Sequence, residues 1–237
     1  HKKRQRPAVN FTTGRCQCRF GQVRVSDRLL LLGLLLDHLL NVDRIGLEQL
    51  GHFLGKLLGQ QSTGVTTIGH AGWVKGGWET ISMLAGSGFG LVLVGGGIFE
   101  EVEGLHDHAD ARGVKLWTPP LLTNLQLTGL MRRSVAIVSM AHGEPFGLTP
   151  IEAFAVGTPA LFVDEGGFQD TIVDGVNGRL LPRDDAMAWQ EALNEALEAD
   201  IKKKWAKAGR EKIAELDLSP DAHAKRIFEV IKELNES

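Results

Sequence analysis

The feature that most constrains this chain is an alternation that sets in after Gly64. Short apolar runs rich in β-branched residues alternate with segments of helical spacing. The runs are 65–68, 91–94, 114–117, 135–138, 160–163 and 178–181. Gly69, the three glycines 95–97 and the pair Pro119-Pro120 stop the first three of them. Between the runs, residues 78–84, 99–111, 125–133, 149–156 and 168–173 carry apolar residues at three- and four-residue steps. Strands this short and this continuously apolar are covered on both faces, which a parallel sheet flanked by helices achieves. Crossovers between parallel strands are right-handed, so the expected architecture is α/β, a doubly wound, Rossmann-like parallel sheet. Three helices are expected to follow it, over 186–197, 201–216 with Trp205 as an anchor, and from Pro220 with Ser219 as N-cap. The last should present Ile227, Phe228, Ile231 and Leu234 as one apolar face.

Charge marks a division near residue 65. Residues 1–65 carry a net charge of +6 and the remainder −9. We therefore divide the chain into an atypical basic, Leu-rich segment, 1–65, and a Rossmann-like domain, 66–237. Residues 1–26 hold seven basic side chains and no acid. That cluster reads either as an arm for polyanions or as a tail foreign to the fold, and the second reading is preferred, with no nucleic-acid partner expected. Residues 28–58 are leucine-rich, and from Ile45 to Leu58 the spacing suits an amphipathic helix. Such a helix could lie on a membrane surface, dock on a partner or pack on the rest of the chain, or the stretch is not read in its natural frame. Cys16 and Cys18 are the only cysteines, too close for a framework disulfide and without a second ligand pair for zinc. A reduced, cytoplasmic chain fits, peripheral to a membrane at most, since no apolar run approaches the ~20 residues of a span.

In an open parallel sheet, ligands bind beyond the carboxyl ends of the strands, where loops enter helices. The most informative such loop is 140–153, Met-Ala-His-Gly-Glu144-Pro-Phe-Gly147-Leu148-Thr149-Pro150-Ile-Glu152-Ala. Thr149 is the expected N-cap and Pro150 the first helical residue, leaving the amides of Gly147, Leu148 and Thr149 free for an anion. Gly147 carries no Cβ to block a phosphate. Glu152, expected in the first turn, can accept hydrogen bonds from a diol such as a ribose, and Glu144 stands on the sugar side.

Glu144 and Glu152 are separated by seven residues. Gly157-Thr-Pro-Ala160, Glu165-Gly-Gly-Phe168 and Asp174-Gly-Val-Asn-Gly178 follow in order. Over roughly 65–237 this pattern resembles the donor-binding half of the retaining glycosyltransferases of GT-B fold, the group 1 family marked by E-x7-E. The resemblance implies a nucleotide-diphosphate sugar as donor, with no cofactor and no metal. It also implies a carbohydrate, lipid or other hydroxyl acceptor bound by a separate N-terminal domain. Residues 1–65 are too short to supply that domain, so with His1 at its start the chain reads as a donor-binding fragment. Lys75 matches the family's phosphate-binding lysine, and catalytic roles fall to Lys75 and Glu144. His70 stands where an arginine is expected; a histidine, mostly neutral at pH 7, cannot form the guanidinium fork. Asp170 replaces a usual Glu. Gly96, within the glycines 95–97, matches the Gly-rich turn beside the nucleotide, and Thr118 falls where the base is often contacted.

Other constellations are weaker. His106-Asp107-His108-Ala-Asp110 looks superficially like a metallohydrolase cluster but reads as a polar helix surface. Gly86-Ser-Gly-Phe-Gly90 precedes its strand, so the dinucleotide pattern is not met. No G-x-S-x-G elbow occurs, and Lys202–Lys204 reads as a solvated face. The alternatives to a transferase are a non-catalytic nucleotide-sugar-binding or docking module, and a GT-B epimerase or phosphorylase.

Overall fold

A computed structural model describes residues 64–236. The basic cluster, the two cysteines and the proposed contact segment 28–58 lie outside the described residues. Six strands form one sheet: β1 Gly64–Ile68, β2 Gly90–Val94, β3 Leu116–Trp117, β4 Ile137–Ser139, β5 Ala160–Val163 and β6 Arg179–Leu181. All pairings are parallel and the order is β3-β2-β1-β4-β5-β6. A helix precedes each strand after β1: α1 Gly77–Leu84, α2 Phe99–Asp110, α3 Asn124–Arg133, α4 Leu148–Val156 and α5 Phe168–Thr171. The α/β, doubly wound architecture expected from the alternation is the one observed.

The order reverses direction between β1 and β4, which are neighbours although three helices and two strands separate them in sequence. There Thr66 pairs with Ile137, and the buried Thr66 hydroxyl meets that of Ser134 at 2.7 Å. The central strands are buried on both faces, as their uninterrupted apolar composition requires.

Two strands differ from expectation. Val135 already donates to the Gly64 carbonyl, but the ladder to β5 begins only at Ile137, which pairs with Ala160. Strand β3 is an edge strand of two residues that starts later than expected, because the Val114 amide still donates to the Ala109 carbonyl at the end of α2.

After the sheet come α6 Ala186–Glu195, α7 Ala199–Leu216 and α8 Pro220–Glu236. Trp189 on α6 is fully buried and its indole donates to the Pro182 carbonyl at 2.8 Å. The anchor role expected of Trp205 holds: it is buried in the core cluster. Gly209 lets α7 approach α4 so closely that an added Cβ would stand 2.7 Å from the Phe154 ring. Ser219 caps α8, its hydroxyl accepting from the Ala222 amide. The apolar face expected there does form, yet Ile227, Phe228, Ile231 and Leu234 all remain exposed and α8 buries no residue.

Candidate active site

The carboxyl ends of β1 and β4 release the two loops that carry the candidate site. After β1, residues Trp73–Lys75 make one turn of 3-10 helix that ends at Gly76, with φ +68°. A side chain on Gly76 would collide with the Met140 carbonyl oxygen, 2.1 Å from the position of a Cβ. The two loops therefore touch backbone to backbone. The contact is reinforced where the His142 amide donates to the Val74 carbonyl at 2.8 Å. In this way Lys75 and Glu144, far apart in sequence, come within 3.4 Å, Nζ to Oε2. Both side chains are partly exposed, and ion pairs of that kind are worth roughly 0.2–1 kcal/mol. Separating Lys75 from Glu144 would therefore cost little.

Helix α4 begins just beyond. Thr149 is not its N-cap, and this corrects the expectation. Gly147 takes the capping position with φ +87°, Leu148 is the first helical residue, and Pro150 is the third. The reason is local: the left-handed conformation is open to glycine and turns the chain into the helix two residues before the Thr-Pro pair. Pro150 sits where an amide would be unpaired anyway. The amides of Gly147, Leu148 and Thr149 accordingly find no acceptor among the described residues. An added Cβ at Gly147 would meet the Phe168 ring at 2.9 Å, so the glycine serves the packing of α5 as well as the turn. Glu152 then falls in the second turn rather than the first. Burial raises its carboxyl above the ordinary value, and it has no hydrogen-bond partner among the described residues.

His70 is exposed, and its Nδ1 accepts from the Gly72 amide at 3.0 Å. Accepting there leaves the proton of the neutral ring on Nε2, the nitrogen free to donate outward. The turn containing Gly96 packs against the same loop: the Ala71 amide donates to the Gly96 carbonyl at 2.7 Å. Thr118 lies just past edge strand β3 and its hydroxyl is engaged with His106 Nε2 at 3.0 Å. His106 and His108 thus take different neighbours. His108 contacts the Trp78 carbonyl and Ser82, and burial, then the nearby Arg112, lowers its pKa. Asp170 is exposed at the start of α5.

Five side chains to which the sequence analysis gave no role complete the neighbourhood. His142 Nε2 lies 2.7 Å from Glu79 Oε1 on α1, and its ring packs on Trp73 with centroids 5.1 Å apart. Arg183, beyond β6, donates to the Met140 carbonyl at 2.7 Å and grips the Glu165 carboxylate with Nε and Nη2 at 2.9 and 2.7 Å. Those hydrogen bonds hold the Glu165 carboxyl below its ordinary range against the opposing effect of burial. His142 adjoins the motif and could have been noticed. Arg183 has no local signal, because its partners lie 18 to 43 residues away. A cavity of about 320 Å³ is lined by Trp78, Glu79 and Arg183 but not by Lys75 or Glu144.

Residues 67–212 match the family described as Glycosyl transferases group 1. The chain belongs to this family. A D-inositol 3-phosphate glycosyltransferase of Xylanimonas cellulosilytica is 32% identical over 124 residues, covering 50% of this chain and 30% of that one. A phosphatidyl-myo-inositol mannosyltransferase of Mycobacterium leprae is 34% identical over 91 residues, or 38% and 24% of the two chains. The chain therefore spans about a third or less of the length of these group 1 relatives. Among solved structures, HepE of Anabaena in complex with UDP-glucose superposes with a TM-score of 0.68 at 20% identity, over 81% of this chain and 54% of that one. That likeness is one of fold.

Proposed function

We propose that this chain is the donor-binding half of a retaining glycosyltransferase, with Glu144 and Glu152 as its E-x7-E pair. One observation supports the reading above the others. Lys75, Glu144 and the unpaired amides of Gly147, Leu148 and Thr149 converge at the reversal between β1 and β4, where open α/β sheets take their ligands.

The donor's diphosphate binds at Lys75 and the amino end of α4, where charge and helix dipole both favour an anion. His70 adds a neutral donor through Nε2. The ribose hydroxyls bind Glu152, and the base lies over Gly96 and Thr118. Glu144, released from Lys75, accepts hydrogen bonds from the transferred sugar. On transfer, the bond from the anomeric carbon to the diphosphate oxygen breaks and an acceptor hydroxyl oxygen takes its place with the same configuration. The proton of that hydroxyl leaves with the diphosphate. Lys75 and the α4 amides stabilise the charge that develops on the departing oxygen, which is the differential interaction that speeds a reaction. No resident metal or cofactor is assigned. The acceptor, a carbohydrate, lipid or other hydroxyl compound, binds outside residues 64–236, and the reaction is placed in the cytoplasm. Among the described residues no helix is long and apolar enough to cross a membrane.

UDP-glucose is bound in one structural relative, so titration calorimetry with UDP, GDP, ADP and UDP-glucose tests the reading. We expect one nucleoside diphosphate to bind, with a tenfold or greater loss in both Lys75→Ala and Glu152→Ala. A folded chain that binds none of them refutes it. Sugar transfer or donor hydrolysis that depends on Lys75 separates an enzyme from a binding module.

A further inference from the structure

The loop that carries Glu144 is held from both flanks. On one side it rests on residues 74–76, through the His142 amide and the close approach of Gly76 to Met140. On the other it rests on the turn after β5. The Gly167 amide donates to the Glu144 carbonyl at 2.7 Å, and a Cβ on Gly167 would fall 2.3 Å from Phe146. Both flanks are backbone contacts. Among the described residues, the one side chain that bridges from the loop to the β5 turn by hydrogen bonds is Arg183, whose planar fork is used in four directions. Nη1 donates to the Met140 carbonyl and Nη2 to the Ala141 carbonyl at 3.4 Å, while Nε and Nη2 take the two oxygens of Glu165. Nη1 also lies 3.3 Å from His142 Nε2. The shorter contact of that nitrogen, to Glu79, identifies it as a donor to the carboxylate rather than an acceptor from Arg183.

We propose that Arg183 is a positioning residue of the donor site: by clamping the Met140 and Ala141 carbonyls to Glu165 it fixes the loop between β4 and α4 and so sets where Glu144 meets the sugar. Arg183 lies beyond β6, at the far edge of the sheet from the base-binding strand, and touches no donor atom itself. A lysine there keeps the charge but not the fork, so it cannot span two carbonyls and a carboxylate together. The effect belongs to the sugar more than to the nucleotide, because the clamp acts on Met140 and Ala141, whereas Glu152 and the Leu148 and Thr149 amides sit on α4. The assignment rests on Glu144 being the sugar-binding carboxylate.

The test uses the full chain with Arg183→Lys and Arg183→Ala. Exchange of the hydrogen-bonded Ala141 and His142 amides should rise tenfold or more in both variants, while α7, remote from the clamp, keeps its protection. By calorimetry, UDP affinity should stay within about threefold, whereas the advantage of UDP-glucose over UDP should fall at least fivefold. Millimolar methylguanidinium should restore that advantage in Arg183→Ala. Unchanged exchange of the Ala141 and His142 amides overturns the proposal. So does a parallel loss of UDP and UDP-glucose, which marks a merely structural residue. If the unaltered chain binds neither compound, the donor reading fails instead, and the exchange measurement still decides whether Arg183 fixes the loop.

Discussion

Replacing Gly76 by alanine isolates the contact on which the candidate site depends. Gly76 has φ +68°, and its Cβ would stand 2.1 Å from the Met140 carbonyl oxygen, against about 3.4 Å for ordinary contact. The obstacle is backbone, so no rotamer change relieves it. Two costs add. The left-handed conformation costs a non-glycine residue about 1–2 kcal/mol. Forcing the loops apart costs about 1–3 kcal/mol more, as overpacking does elsewhere. Gly113 and Gly143 provide the controls, since they have φ +66° and +61° with nothing within 4 Å of an added Cβ. Gly113→Ala and Gly143→Ala should therefore lose only the first cost. At about 2–4 °C per kcal/mol for a domain of this size, Tm should fall by about 2–8 °C. Gly76→Ala should lose roughly 2–5 kcal/mol, and it should also weaken nucleotide binding, because the displaced carbonyl belongs to the loop that brings Glu144 to Lys75. Denaturant melts of the three variants, with nucleotide titration of each, make the comparison. Equal stability of Gly76→Ala and Gly113→Ala would refute the claim that the two loops meet backbone to backbone.

Glu152→Gln should raise Tm at pH 7–8 and weaken nucleotide binding, a gain in stability at the expense of the site. Its carboxyl is raised by burial, so the folded state binds the proton more tightly than the unfolded chain, and stability falls as pH rises from the ordinary carboxylate range through the raised value. The gain in Glu152→Gln should accordingly shrink as pH is lowered into the carboxylate range, and a gain independent of pH in thermal melts would contradict the assignment. Gly209→Ala opposes two effects. Alanine is favoured over glycine by about 1 kcal/mol within a helix, but its Cβ would stand within 2.9 Å of three Phe154 atoms. Packing should win, with a net loss of about 1–2 kcal/mol, and combining it with Phe154→Leu should cost less than the sum of the two.

The strands were legible because the apolar runs are short, continuous and closed by glycine or proline; residues 160–163 were placed without error as β5. The start of α4 was misread because Thr149 and Pro150 look like a capping pair, while the conformational freedom of Gly147 acts first. Lys75 and Glu144 could be singled out as candidates from the sequence, but their meeting could not. It depends on β1 lying beside β4, a non-local fact that no window of sequence contains. Arg183 was missed for the same reason. The apolar face of α8 was legible as a pattern, yet a pattern says what a helix could bury and not what it does bury.

The reversal of strand order has one more consequence. Lys75 comes from the half of the sheet that winds outward through β2 and β3, and Glu144 from the half that winds the other way through β5 and β6. Neither half owns a binding site. A bound nucleotide would act as a rivet between them, and unfastening either half would expel it. Ligand protection should thus appear at both edges of the sheet at once. A chain nicked between Lys75 and Glu144 would keep every residue of the site and lose only the covalent link that brings the two halves together.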